Sequence, residues 1–145
     1  TPDLAAYRAG HYEGSAQFCT AKNGFAQGRN NHRYQNSCPP EFASAFMAGY
    51  RDGQTLYQAK TQLDGAHNEL RDIQQEIYEL ESSIAKLNEQ LVADGLTREQ
   101  RITIRDELAK LNESLGQANL VRDELAAAII VYQNEFSRLQ QHFSY

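Results

Sequence analysis

The sequence predicts an all-α protein: a long antiparallel two-helix coiled-coil hairpin whose base carries a small helical head stapled by a disulfide. Three observations lead there. Apolar residues recur every seven positions from Leu56 to Leu91 and again after Thr97. An Asp-Gly pair, Asp94-Gly95, interrupts the pattern between the two runs. Of 14 aromatic residues, nine fall in residues 1–57 and four in the last fourteen, so the rings gather where the base of such a hairpin would close. The chain of 145 residues is 41% hydrophobic and 23% charged with only 3 Pro, which is the composition of a folding chain rather than a disordered one.

The head comes first. Residues 3–21 are expected to form a helix that begins after Thr1 or Asp3. Its Ala6-Tyr7, Ala9-Gly10, Gly14 and Phe18 recur 39 residues later as Ala45-Phe46, Ala48-Gly49, Gly53 and Tyr57. Glycines four apart on a helix leave a flat strip that lets another backbone or a ring come close, despite a propensity cost of ~1 kcal/mol each. Close packing is therefore expected of both copies. A membrane helix pair of the same spacing is not, because Arg8, His11, Glu13, Arg51 and Asp52 interrupt the strips. Gly24-Phe25-Ala26-Gln27-Gly28 lacks the Gly-Lys-Ser/Thr of a phosphate loop and reads as a turn-rich connection. Cys19 and Cys38 enclose 18 residues, and Pro39-Pro40 set up a helix start near Glu41. A Cys19–Cys38 bridge would clamp this loop and contribute ~3 kcal/mol in the chain-entropy model. Two free cytosolic thiols are the alternative.

The first hairpin helix is expected over residues 41–92. Leu56, Leu63, Leu70, Ile77, Ile84 and Leu91 form one seam position, and Ala59, Ala66, Ile73, Leu80 and Leu87 the other. The turn falls at 93–97, where Thr97 and Gln100 match a capping box that opens the second helix, over 98–143. There the seam resumes with Leu108, Leu115, Ile129, Phe136 and Phe143 at one position and Ile104, Leu111, Ala118, Leu125, Tyr132 and Leu139 at the other, with Arg101 and Arg122 as polar exceptions. If the helices fold back on each other, facing residues have a constant number sum. A sum of 188 pairs Ile77 with Leu111 and Leu63 with Leu125, and sets small against large at Leu70/Ala118, Ala66/Arg122 and Gly49/Leu139. Arms of ~70 Å follow from a rise of ~1.5 Å per residue. The alternative is an intermolecular dimer of one continuous helix, so monomer and homodimer both stay open. The domain reading is a head at 1–57 and a hairpin at 58–145 whose C-terminal end packs back on the head.

Chemistry is sparse. His11, Cys19, His32 and Cys38 are the only soft-metal set, but eight helical residues separate His11 from Cys19 by ~12 Å, too far for one zinc ion. No metal, cofactor or catalytic residue is expected. The acidic residues Glu76, Glu79, Glu81, Asp106, Glu107 and Glu113 mix with Arg71, Lys86, Arg105 and Lys110, as on the solvated face of a coiled coil. The net charge is -5, and the only basic surplus lies in residues 1–40, with four basic and two acidic side chains, so no nucleic-acid groove is expected. No run reaches the ~18–20 apolar residues of a membrane span. Because the chain begins at Thr1, it is read as processed or trimmed, with any export signal or membrane anchor expected outside the residues given.

Tyr7-x-x-Gly10-x-x-x-Gly14, Phe18-Cys19, Asn23-Gly24-x-x-x-Gly28, Tyr34, Cys38-Pro39, Phe42 and Gly49-x-x-x-Gly53-x-x-x-Tyr57 occur in that order. Over residues 3–58 this series resembles the latter part of a family of small Gram-negative envelope proteins, many of them predicted lipoproteins, known only as a domain of unknown function. The heptad arms are an addition to it. The resemblance implies a periplasmic or outer-membrane-associated setting and no recognised enzymatic chemistry.

Two functions fit. In the first, a non-enzymatic envelope structural or adaptor protein binds a protein partner of unknown identity through the hairpin, with Val92, Leu96 and Ile102 as an apolar cluster beside Asp94 at its turn. In the second, the head binds a small ligand or glycan through Tyr12, Tyr34 or Tyr50 and the hairpin is a spacer. An exposed turn surface would favour the first, and an open pocket in the head the second.

Overall fold

The computed structural model describes residues 3–145 and holds four helices among them: α1 (Leu4–Phe18), α2 (Ala21–Arg29), α3 (Pro40–Leu91) and α4 (Arg98–His142). Two compact units divide the chain. The head unit runs to Leu63 and takes in Tyr132–Tyr145, and the second unit is Asp64–Val131.

In the head unit, Asp3 caps α1 by accepting from the backbone N–H groups of Ala5 (3.0 Å) and Ala6 (3.1 Å). The helix buries none of its residues. This corrects the expectation that Gly10 and Gly14 serve close packing, because no atom of a neighbouring element lies within 4 Å of a Cβ built at either. The first copy of the glycine repeat is open, and α1 is tied to the other helices by Tyr12 (against Phe42, ring centroids 5.4 Å apart), by Phe18 (against Phe46, 5.6 Å) and by the Asn23 side-chain amide, which donates to Phe18 O (2.7 Å).

The second correction concerns residues 21–29, which form a helix rather than a turn-rich connection. Thr20 caps it through a bond from Asn23 N–H at 3.1 Å. Its end is a Schellman-type closure: Asn31, at φ 56°, donates to Gly28 O, and His32 donates to Gln27 O. Gly24 and Gly28 are tolerated inside this helix because they meet Gly49 and Gly53 of α3. A Cβ at Gly24 would lie 2.1 Å from the carbonyl oxygen of Phe46, and one at Gly28 2.1 Å from that of Tyr50. Reciprocally, a Cβ at Gly49 would lie 2.0 Å from Ala21 O and one at Gly53 2.2 Å from Phe25 O. Each glycine faces the carbonyl three residues before a glycine of the other helix. Numbers rise together along both, so the helices cross in parallel with their backbones touching, the small-residue geometry best known between membrane helices. The pairing of Gly49 with Leu139 expected from the constant sum does not hold, since the space before Gly49 is filled by α2.

Parallel crossing places the starts of α2 and α3 side by side. Cys19 and Cys38, each two residues ahead of its helix, form the disulfide there with Cα atoms 5.8 Å apart. Both sulfurs are thereby used, so neither is a metal ligand in this state. Cys19, Phe46 (1% exposed) and Tyr50 make one core cluster, closed by Tyr34, Phe42 and Met47. Phe25, Leu56 and Leu139 make a second, with Ala59, Phe136 and Phe143 packed on it.

In the second unit, every seam position from Ala66 to Leu91 on α3 and from Ile104 to Ile129 on α4 is buried or half-buried. Ala66 and Ala118, the small residues expected opposite Arg122 and Leu70, are among the most buried in the chain. A connection of six residues, 92–97, joins the helices, short enough that they must return antiparallel. The acidic residues of the flanking faces are exposed.

Candidate functional site

Each unit offers a concave surface of several hundred Å³. In the second unit it lies at the turn. The reversal depends on Gly95, whose φ of +80° falls in the left-handed region that a side chain disfavours. Helix α4 then opens on the expected capping box: Thr97 N–H donates to Gln100 Oε1 (2.8 Å) and Gln100 N–H to Thr97 Oγ1 (3.1 Å). Ala93, Leu96, Thr103 and Ile104 line a shallow depression of about 470 Å³ rimmed by Gln90, Glu99 and Gln100. Of the residues expected at a partner surface, Leu96 lines this depression. Val92 (80% exposed), Asp94 and Ile102 (48% exposed) lie outside it, open to solvent. Ala93, Thr103 and Ile104 were missed by sequence reasoning. The available signal was Arg101: at a seam position it supplies an exposed charge where an apolar side chain would have covered the last layer.

In the head unit a cavity of about 560 Å³ is walled by Phe25, Tyr57, Phe136, Phe143 and Tyr145, with Leu56 beneath them. Arg29 and Asn30 from the end of α2, Lys60 from α3 and Gln140 from α4 supply its polar atoms. Phe25 stacks on Tyr145 with centroids 4.6 Å apart and planes at 12°, and meets Phe143 edge-on at 5.9 Å. The Arg29 guanidinium lies 5.6 Å from the centre of the Phe25 ring.

The Tyr145 hydroxyl donates to the Asp52 carboxylate, and this bond, helped by burial and by the carboxylate charge, holds the phenol above its ordinary 10.0. Asp52→Asn is expected to bring the Tyr145 transition down, as read by ultraviolet difference titration against a Tyr145→Phe reference. The neutral phenol is the form favoured by folding. Its contribution to stability is therefore present below the ordinary value and is lost as pH rises from there through the raised one.

The three tyrosines expected to bind a ligand do not share this cavity. Tyr34 and Tyr50 have centroids 6.1 Å apart and both pack on Phe46 in the first core cluster. Their hydroxyls fasten the loop after α2: Tyr50 donates to His32 O (2.7 Å), and Tyr34 accepts from Cys38 N–H (3.2 Å). Tyr12 stands apart against Phe42. A cavity of about 220 Å³ beside Tyr34 is smaller than the ~300 Å³ at which small-molecule sites begin.

Among the described residues no group of three or more His, Cys, Asp and Glu could hold a metal ion, and no helix is long and apolar enough to cross a membrane. Residues 1–55 match the model of a family described as a protein of unknown function (DUF2799). The match takes in the disulfide and the four crossing glycines, and it ends before the second unit begins. No curated protein and no solved structure matches the chain.

Proposed function

We propose that the protein is a non-enzymatic structural or adaptor protein of the cell envelope that binds a protein partner through the turn of its helical hairpin. The observation that carries this reading is the apolar surface at the turn. Val92 and Ile102 are exposed beside a depression floored by Ala93, Leu96 and Ile104, while the outer faces of the same helices carry exposed charges. A partner covering that surface gains about 25 cal/mol for each Å² of apolar area removed from water, which the charged faces cannot offer. The Thr97/Gln100 capping box fixes the start of α4 beside this surface. The Cys19–Cys38 bridge supports an oxidising compartment, since cytosolic thiols are kept reduced, and the periplasm or the inner side of the outer membrane is the setting proposed.

The test is the pair Val92→Ser and Leu96→Ser, together with a variant in which both arms are shortened by matched heptads. Capture of the partner from envelope extracts is expected to fall about tenfold or more in the double variant, the loss that ~1.4 kcal/mol of desolvation produces. Capture that survives both changes and is abolished by Tyr12→Ala would place binding on the head instead.

A further inference from the structure

We infer that the head cavity is a binding site for a small planar anion: an aromatic or cyclic ring that bears a carboxylate or a similar single negative charge. This does not rest on the reading of the turn. Three observations carry it. First, about 560 Å³ is within the range of small-molecule sites, ~300–1,000 Å³, and the cavity is not closed by its own rings: Tyr57 and Phe136 are only half-buried and Tyr145 is exposed. Phe25 stacks on Tyr145 and meets Phe143, and Tyr57 and Phe136 line the space beside them, which a flat apolar body would fill.

Second, the charge around the cavity has the opposite sign to the chain. The protein carries a net charge of -5 with 19 acidic residues, yet no acidic residue lines the cavity, and both of its charged lining residues, Arg29 and Lys60, are cationic. Asp52, whose carboxylate accepts from the Tyr145 hydroxyl, is not among the lining residues. An anion therefore meets no like charge in the lining, whereas a cationic ligand would meet two.

Third, the position of Arg29 suits a ring and a carboxylate together. Its guanidinium sits 5.6 Å from the centre of Phe25, at the lip of the aromatic wall. A ring held against the wall would bring a carboxylate substituent to the guanidinium fork, whose paired donors match two carboxylate oxygens. Asn30 and Gln140 add amide donors on the same lining.

The experiment titrates the full disulfide-bonded chain with 2-naphthoate and, in parallel, with neutral 2-naphthylmethanol, by calorimetry and by NMR of the aromatic side chains. The naphthoate is expected to bind about tenfold or more tightly than the alcohol and to shift the resonances of Tyr57, Phe136 and Tyr145. Arg29→Gln, a change at an exposed position, is expected to remove that difference by weakening the naphthoate more than the alcohol. Equal affinity for the two probes, shifts confined to other residues, or no binding of naphthoate at millimolar concentration would each overturn the inference. The comparison of the two probes on the unaltered chain decides it even if the variant folds poorly.

Discussion

Alanine at Gly24, Gly28, Gly49 or Gly53 is expected to destabilise the head unit, while alanine at Gly10 or Gly14 is expected to stabilise α1 slightly. The sign differs because the surroundings do. At the four crossing positions the new methyl group would lie 2.0 to 2.2 Å from a backbone carbonyl oxygen of the facing helix, and a backbone cannot turn aside as a side chain can. The helices must separate by about 1 Å, which forfeits contacts along the whole crossing, an overpacking cost of ~1–3 kcal/mol. The gain in helix propensity of ~1 kcal/mol offsets part of it. Valine in place of alanine adds bulk without further propensity gain, so Gly28→Val and Gly49→Val are expected to lose more than ~4 kcal/mol, enough to undock α2. At Gly10 and Gly14 nothing is displaced and only the propensity gain remains. Near-ultraviolet circular dichroism follows this selectively, because thirteen of the fourteen rings lie in the head unit and only Tyr78 in the other. A Gly49→Ala melt at or above that of the unaltered chain would mean that the two helices do not touch where they cross.

Removal of the disulfide is the second large effect expected. Cys19→Ser with Cys38→Ser releases a loop that the bridge closes over a sequence separation of 19, worth ~3 kcal/mol through the unfolded chain. It also replaces the sulfur of Cys19, buried in the cluster with Phe46 and Tyr50, by a hydroxyl that must be desolvated. For a unit of this size each kcal/mol moves the midpoint by roughly 4–8 °C, so the head signal is expected to melt on the order of 10–20 °C lower. Reductant should reproduce the shift in the unaltered protein and leave the double variant unchanged. A midpoint that moves by less than about 2 °C would show that the crossing holds without its staple.

The hairpin seam was legible because its signal is periodic and its burial is local to two helices. Each residue assigned to it from Leu56 to Leu91 and from Ile104 to Phe143 is buried or half-buried. The disulfide could be read from Pro39-Pro40 and from the small size of the head. Helix α2 could not be read from its own nine residues, since two glycines in so short a segment argue against helix by propensity. What overrides propensity is a tertiary match: Gly24 and Gly28 repeat the spacing of Gly49 and Gly53, and each strip is the surface the other needs. The internal repeat pointed instead to Gly10 and Gly14, where the same spacing meets open space, so the spacing marks what a helix can accept and not whether it is occupied. The head cavity was hidden for a related reason. Phe136, Phe143 and Tyr145 were legible as rings that return to the head, but whether returning rings close over one another depends on α2, the element that was missed.

Partner binding at the turn is tested most directly by a photocrosslinking amino acid placed singly at Val92, at Glu107 on the exposed charged face of α4, and at Tyr12 on α1, in cells that produce the protein. The expected result is a discrete heavier adduct from Val92 and none from the other two positions. An adduct from Tyr12 with none from Val92, or equal yields from Val92 and Glu107, would contradict a partner that docks on the turn.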